Sequence, residues 1–183
     1  MASKTKQVLA KTLKEIMKTS PLSKISIGDI TKRCDLKRQT FYYHFTDKYH
    51  LVNWIFDREI LDQIDDFLMY ESWDKAMGMV FKLTEENSDF YLNALHGNFS
   101  YFYIHILQTQ RAVMDNIIQE LLGEKKVAQD DREFFIEFYT NAFVGTYVNW
   151  INNRMHESSE KVIERLTKIF RGTLKTSLQD YIK

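Results

Sequence analysis

Three features of the 183-residue sequence predict an all-α fold. The chain holds one proline and six glycines. Apolar residues recur at the three-to-four spacing of amphipathic helices. No stretch sustains the apolar–polar alternation of a half-buried strand between turn signals. At 44% hydrophobic and 14% aromatic residues, the chain has the material for a packed core, which excludes a disordered polymer. Cys34 is the only cysteine, so neither an intrachain disulfide nor a paired-cysteine metal site is expected, and a reducing, cytoplasmic setting is the default. The longest unbroken apolar stretch, Ala76 to Phe81, is far short of the roughly 20 residues of a membrane span. The first lysines are followed by no apolar run, so no signal peptide is expected.

The helices follow in order. Val8, Leu9, Leu13, Ile16 and Met17 form one stripe among lysines, which predicts a helix over 4–19 that Thr19-Ser20-Pro21 ends. Ser26, followed by Ile27-Gly28-Asp29, has the spacing of a capping box and starts a second helix that ends near Cys34-Asp35. Leu36 begins a tight connection into a third short helix, Lys37 to His44. Thr46 and Asp47 cap a long helix with Leu51, Val52, Ile55, Phe56, Ile60, Leu61, Ile64 and Leu68 inward. Further helices are predicted near 73–87, 89–96, 100–122, 131–154 and 159–181. Gly97-Asn98 and Gly123-Glu124 are the clearest breaks, and Ser158-Ser159 starts the last helix. Residues 1–47 thus make one three-helix unit, and 48–183 a larger helical unit packed on it through the helix that starts near Lys48.

Charge divides along the same line. The formal net charge is zero, but residues 1–50 hold eleven Lys+Arg against four Asp+Glu, and the remaining 133 hold fourteen against twenty-one. A basic end joined to an acidic remainder suits a chain that brings one end to a polyanion.

Residues 26–48, SIGDITKRCDLKRQTFYYHFTDK, have the layout of a helix-turn-helix: a capped helix, a short turn, then a helix rich in long polar and aromatic side chains. Ile27, Ile30, Leu36, Phe41 and Phe45 can form its small core. Lys37, Arg38, Gln39, Thr40, Tyr42, Tyr43 and His44 are then left for the outer surface of the third helix. Arg38 and Gln39 can make paired bonds to base edges in a major groove, and Thr40 can touch a base or a phosphate. Tyr42, Tyr43, His44 and Lys48 suit phosphate oxygens, as does the capped helix start at Ser26.

This segment resembles the DNA-binding domain of the TetR family of bacterial transcriptional regulators. The run that carries the resemblance is Ile30-Thr31-Lys32-Arg33-Cys34-Asp35-Leu36-Lys37-Arg38-Gln39-Thr40-Phe41-Tyr42-Tyr43-His44-Phe45, then Asp47-Lys48 and Leu51, within a similarity over about residues 5–55. Three positions depart from the family pattern. Asp35 stands where a turn glycine is common, Lys37 where a capping serine or threonine is common, and Gln39 where glycine is usual. Lys37 cannot cap a helix as serine does, and Gln39 adds a hydrogen-bonding side chain that should alter base preference. Together with Phe90-Tyr91-Leu92-Asn93-Ala94-Leu95, the motif is similar to a subgroup of dihydroxyacetone-kinase operon regulators.

The resemblance implies a homodimer on an approximately palindromic double-stranded DNA operator, paired through its C-terminal helices and controlled by a small-molecule or protein effector. The residues allow this. Phe134, Phe135, Phe138, Phe143, Val144, Tyr147, Val148, Trp150 and Ile151 give one helix more apolar circumference than a single buried face needs. With the last helix it offers a four-helix interface, for which Phe143, Gly145, Tyr147, Trp150, Leu166, Phe170 and Leu174 are the candidates, Gly145 permitting close approach. Tyr70, Trp73, Phe90, Tyr91, Phe99, Phe102, His105, Tyr139 and Tyr147 combine apolar walls with polar tips and are the candidate effector pocket.

No catalytic, metal or cofactor site is read. His44, His50, His96, His105 and His156 lack metal-ligand spacing with cysteines or carboxylates. Asp65-Asp66 and Glu85-Glu86 are neighbours that point different ways on helices, unsuited to acid–base work. No nucleophile elbow or phosphate-binding glycine loop occurs. The competing function class is a helical interaction protein that uses a degenerate helix-turn-helix to hold a protein partner.

Overall fold

The computed structural model describes residues 2–182 and is helical throughout, with no strand among those residues. The head consists of α1 (Ala2–Met17), a 3-10 turn at Leu22–Lys24, α2 (Ile27–Arg33) and α3 (Arg38–His44). Leu9, Leu13, Met17, Ile30, Phe41 and Phe45 fill its centre, each at most 3% exposed. Ser26 and Asp29 form the expected capping box at the start of α2, which satisfies amides that have no partner within the helix. The turn into α3 closes with the Leu36 amide donating to the Thr31 carbonyl at 2.9 Å. Asp35 there adopts φ 52°, the left-handed conformation for which glycine is the usual residue.

The Asp47 carboxylate caps α4 (Lys48–Phe56), accepting from the Tyr49 and His50 amides. From here the structure departs from a single regular helix to Leu68. A π-helical turn at Asp57–Leu61 is followed by one α-turn, α5 (Asp62–Ile64), and by 3-10 turns at Asp65–Phe67 and Tyr70–Ser72. The π turn takes up one extra residue yet keeps both Ile60 and Ile64 in the core, at 0% and 1% exposed. Beyond Ile64 the chain is held by other bonds: Glu120 accepts from the Tyr70 amide at 2.9 Å, and the Ser72 hydroxyl donates to the Phe67 carbonyl.

The body comprises α6 (Trp73–Glu86), α7 (Ser88–Gly97), α8 (Phe99–Leu122), α9 (Gln129–Asn152) and α10 (Ser159–Gln179). α8 and α9 form the most extensive pair, and α10 lies along α6. Gly123, at φ 55°, ends α8. Aromatic stacking joins the helices: Trp73 lies 4.3 Å from Phe170 and 4.6 Å from Phe143, ring centre to ring centre.

The broad apolar circumference of α9 has a different cause from the one expected. Phe143, Tyr147 and Trp150 of α9, with Leu166, Phe170 and Leu174 of α10, are each at most 9% exposed inside the single protomer. Helices α6, α7 and α8 cover the inward faces of α9, so these six residues are core and are not available to a second copy. Among the interface candidates only Gly145 is exposed. The large apolar side chains left outside on these two helices are Phe134, Phe138 and Ile169, at 64%, 56% and 61% exposed.

Candidate nucleic-acid interface

Helix α3 is held by one face. Phe41 anchors it in the head core, and Tyr42, Tyr43, Lys37, Arg38 and Gln39 remain outside. Tyr43 is 82% exposed and Tyr42 57%, unusual for tyrosines on a short helix and of a kind that marks contact surfaces. Thr40 and His44 are half-buried at the flanks, and the His44 ring meets Tyr43 edge-on at 4.9 Å. Lys37 occupies the N-cap without a side-chain bond; its ammonium stem cannot accept from an amide.

Arg38 does not project straight outward. Its guanidinium occupies the space where a Cβ at Gly28 would stand, and it acts electrostatically on Asp29. The absence of a side chain at Gly28 lets the arginine rest on the start of α2. Ser26 bonds hold the Asp29 carboxyl below its usual value, with Arg38 and Lys32 adding to the effect.

Two of the expected phosphate contacts have other work. The Ser26 hydroxyl donates to Asp29 Oδ2 at 2.7 Å and accepts from the Asp29 amide at 3.1 Å, so it shapes the start of α2 and is not free for a phosphate. Lys48 donates to the carbonyls of Leu22 and Ile25 at 2.7 Å each and of Ser23 at 3.2 Å. With three donors matched to three carbonyls, it braces the loop before α2. Burial pushes its pKa down. Sequence spacing marked Lys48 as a motif residue but could not reveal partners more than twenty residues upstream.

The proposed effector residues are dispersed. Tyr70, Trp73, Phe90, Tyr91, Phe102, Tyr139 and Tyr147 are core residues at most 6% exposed, whereas Phe99 is 47% exposed. His105 is half-buried and bonds to Asp57 of the π turn at 2.6 Å. The body has a small apolar cavity of about 40 Å³ lined by Phe56, Leu61, Met77, Val113, Gln110 and Tyr147, among others. Of the nine candidates only Tyr147 reaches it. The Tyr147 hydroxyl pairs with Thr84 at 2.7 Å. Tyr91 buries its hydroxyl with no partner among the described residues, and burial pushes both phenols up. Gln110, whose amide nitrogen is buried and unpartnered at the cavity, carries no sequence signal that would have singled it out. Among the described residues, no group of histidines, cysteines and carboxylates is arranged to hold a metal and no helix is long and apolar enough to cross a membrane.

Residues 71–172, more than half of the chain, match the transcriptional regulator C-terminal region of TetR-type proteins. Over 102 residues the chain is 29% identical to the HTH-type dhaKLM operon transcriptional activator DhaS of Lactococcus lactis subsp. lactis (strain IL1403), a match over 55% of this chain and 54% of that protein. The chain thus spans about half the length of that curated relative. The solved structure of a dihydroxyacetone kinase operon activator, DhaS, has the same fold, with a TM-score of 0.71 over 98% of each chain at 20% identity. An outward-facing α3 on a capped helix-turn-helix, continued by this C-terminal region, identifies the chain as a member of the TetR family of transcriptional regulators.

Proposed function

We propose that the chain binds an approximately palindromic operator as a homodimer and regulates transcription, with Lys37, Arg38, Gln39, Thr40, Tyr42, Tyr43 and His44 as the DNA-contacting residues. Residues 1–47 act as the reading head and 48–183 as the body that pairs the protomers. The observation that carries this reading is the exposure of α3: Tyr43 at 82% and Tyr42 at 57% flank an exposed Lys37-Arg38-Gln39 run. Two such helices, roughly 34–36 Å apart or a multiple of that, enter successive major grooves on one side of the duplex. Arg38 and Gln39 read bases, and Tyr42, Tyr43, His44 and Lys37 hold phosphates.

Pairing through α9 and α10 is supported by what they leave outside. Phe134, Phe138 and Ile169 are exposed, and at Gly145 and Gly172 an added Cβ would meet nothing within 4 Å, so a second copy can approach closely there. An effector acting inside the body would have to enlarge the cavity, because about 40 Å³ is far below the roughly 300 Å³ at which ordinary ligand sites begin. A protein effector needs no such opening. Either one would act by its differential affinity for two separations of the heads.

Fluorescence anisotropy with fragments of the chain's own promoter region tests the reading. A steep fall of affinity with salt, together with preference for one fragment over random DNA, supports it. Absence of binding at low salt would favour the adaptor reading.

A further inference from the structure

The motif Phe90-Tyr91-Leu92-Asn93-Ala94-Leu95 lies within α7, and four of its residues face the core: Phe90, Tyr91, Ala94 and Leu95 are at most 5% exposed. Asn93 does something else. Its Oδ1 accepts from the Leu22 amide at 2.7 Å, and its Nδ2 donates to the carbonyls of Met17 at 3.0 Å and Ser20 at 2.9 Å. Met17 is the last residue of α1, and Leu22 the first of the 3-10 turn. One side-chain amide therefore closes the chain between α1 and α2, taking up groups that a helix end leaves unpaired. One turn on, Gly97 lets α7 approach the head: a Cβ there would fall 2.7 Å from Leu22 side-chain atoms. Leu22 is fully buried in this contact, and its carbonyl accepts from Lys48.

The head is also joined to the body by α4, which runs into the π turn, by the packing of α1 on α7, and by Lys14. The Lys14 ammonium meets both Glu59 oxygens at 2.7 Å and Asn87 Oδ1 at 2.9 Å. A single covalent helix leaves the head free to bend and rotate about its axis, and irregular turns are where such motion is absorbed. A second attachment away from that axis removes this freedom. Asn93 and Gly97 supply the part of it that holds the α1–α2 junction, beside the Lys14 bridge, from a helix that itself packs on α6, α8 and α9.

We propose that Asn93 is a positioning residue: with Gly97, it clamps the α1–α2 junction to α7 and so fixes the orientation of the reading head on the body. The clamp is a property of the protomer. Its consequence for DNA rests on the operator reading above, because two heads each held in one orientation reach two half-sites together more readily than two that turn freely. Loss of the clamp lowers the effective concentration of the second head over its half-site and leaves the α3 surface unchanged.

The test uses the 183-residue chain with Cys34→Ser, spin-labelled at Lys32→Cys on the head and Ala112→Cys on the body, both exposed positions. Pulsed electron–electron resonance, with labelled protein diluted in unlabelled, reads the head-to-body distance distribution. A narrow distribution in the parent that broadens or splits in Asn93→Ala and in Gly97→Ala supports the clamp. An unchanged width in both overturns it, including the case in which either variant merely melts earlier. Asn93→Ser replaces Asn93→Ala should the latter fail to fold. On DNA, the palindrome-to-half-site affinity ratio should fall about tenfold or more, with half-site affinity held within roughly twofold. Equal loss on both DNAs, or loss on neither, counts against the clamp. If the parent binds neither DNA, the operator reading fails while the distance measurement still decides the clamp.

Discussion

The ammonium of Lys48, at the first residue of α4, lies 2.7 Å from the carbonyl oxygen of Ile25, the residue just before the cap of α2. The same nitrogen reaches Leu22 and Ser23, so the loop that presents the helix-turn-helix is tied to the helix that leaves it. Lys48→Met should lower unfolding stability by about 1–3 kcal/mol, because three carbonyls lose a charged donor. It should leave the slope of log affinity against log salt unchanged, since no phosphate partner is removed. Urea unfolding and a salt titration on operator DNA check both halves; a slope reduced by about one would show that Lys48 neutralises a phosphate after all.

Lys37 predicts the opposite pair of effects. It occupies the N-cap of α3 without a side-chain bond, so Lys37→Ser should stabilise the chain by about 0.5–1 kcal/mol through a new cap. The same change removes a cation from the DNA face and should reduce the salt slope by about one. Thermal unfolding and the same titration give the two numbers.

Asp35 is strained where its substitute would not be. At φ 52° a side chain costs of the order of 1–2 kcal/mol, less for aspartate than for branched residues. Asp35→Gly should therefore keep or raise stability, and Asp35→Val should lower it by about 1–2 kcal/mol. Chemical denaturation of the three forms ranks them; a glycine form markedly less stable than the parent would mean that the aspartate makes a compensating contact.

The exposed side of α9 and α10 carries the dimer prediction. Phe138→Asp, or Ile169→Asp, should give a monomer with little change in protomer stability, because both side chains are mostly outside the core. Sedimentation velocity reads the mass, and the monomer should bind a half-site while losing the avidity of the palindrome. Phe143→Asp should instead unfold the chain, as expected of a residue 7% exposed.

Much of this architecture could be read from local signals. Ser26 and Asp29 name a helix start by spacing alone, Asp47 names another, and the stripe through Leu9, Leu13 and Met17 fixes the inward face of α1. What escaped depends on distant partners. Phe138 and Phe143, five positions apart, lie on different faces of one helix, yet both faces are apolar; the placement of α6 and α10 decides that Phe143 is covered, against Trp73, and Phe138 is left outside. The π turn at Asp57–Leu61 was hidden because Ile60 and Ile64 are buried in either helical form. Aromatic character marks the pocket candidates in the sequence, but a core needs it as much as a ligand site does, and most of them are packing. Asn93 lay in a visible motif, but its bonding partners at Met17, Ser20 and Leu22 are more than seventy residues away.

The most direct measurement is a pair of titrations with the parent chain and Arg38→Ala on a promoter fragment and on random DNA of equal length at fixed salt. The parent should favour the promoter fragment, and Arg38→Ala should lose about 1–3 kcal/mol of binding there while changing little on random DNA. Equal loss on both DNAs would remove Arg38 from base reading, and a parent chain that binds neither even at low salt would contradict the account of α3 as a DNA-reading helix.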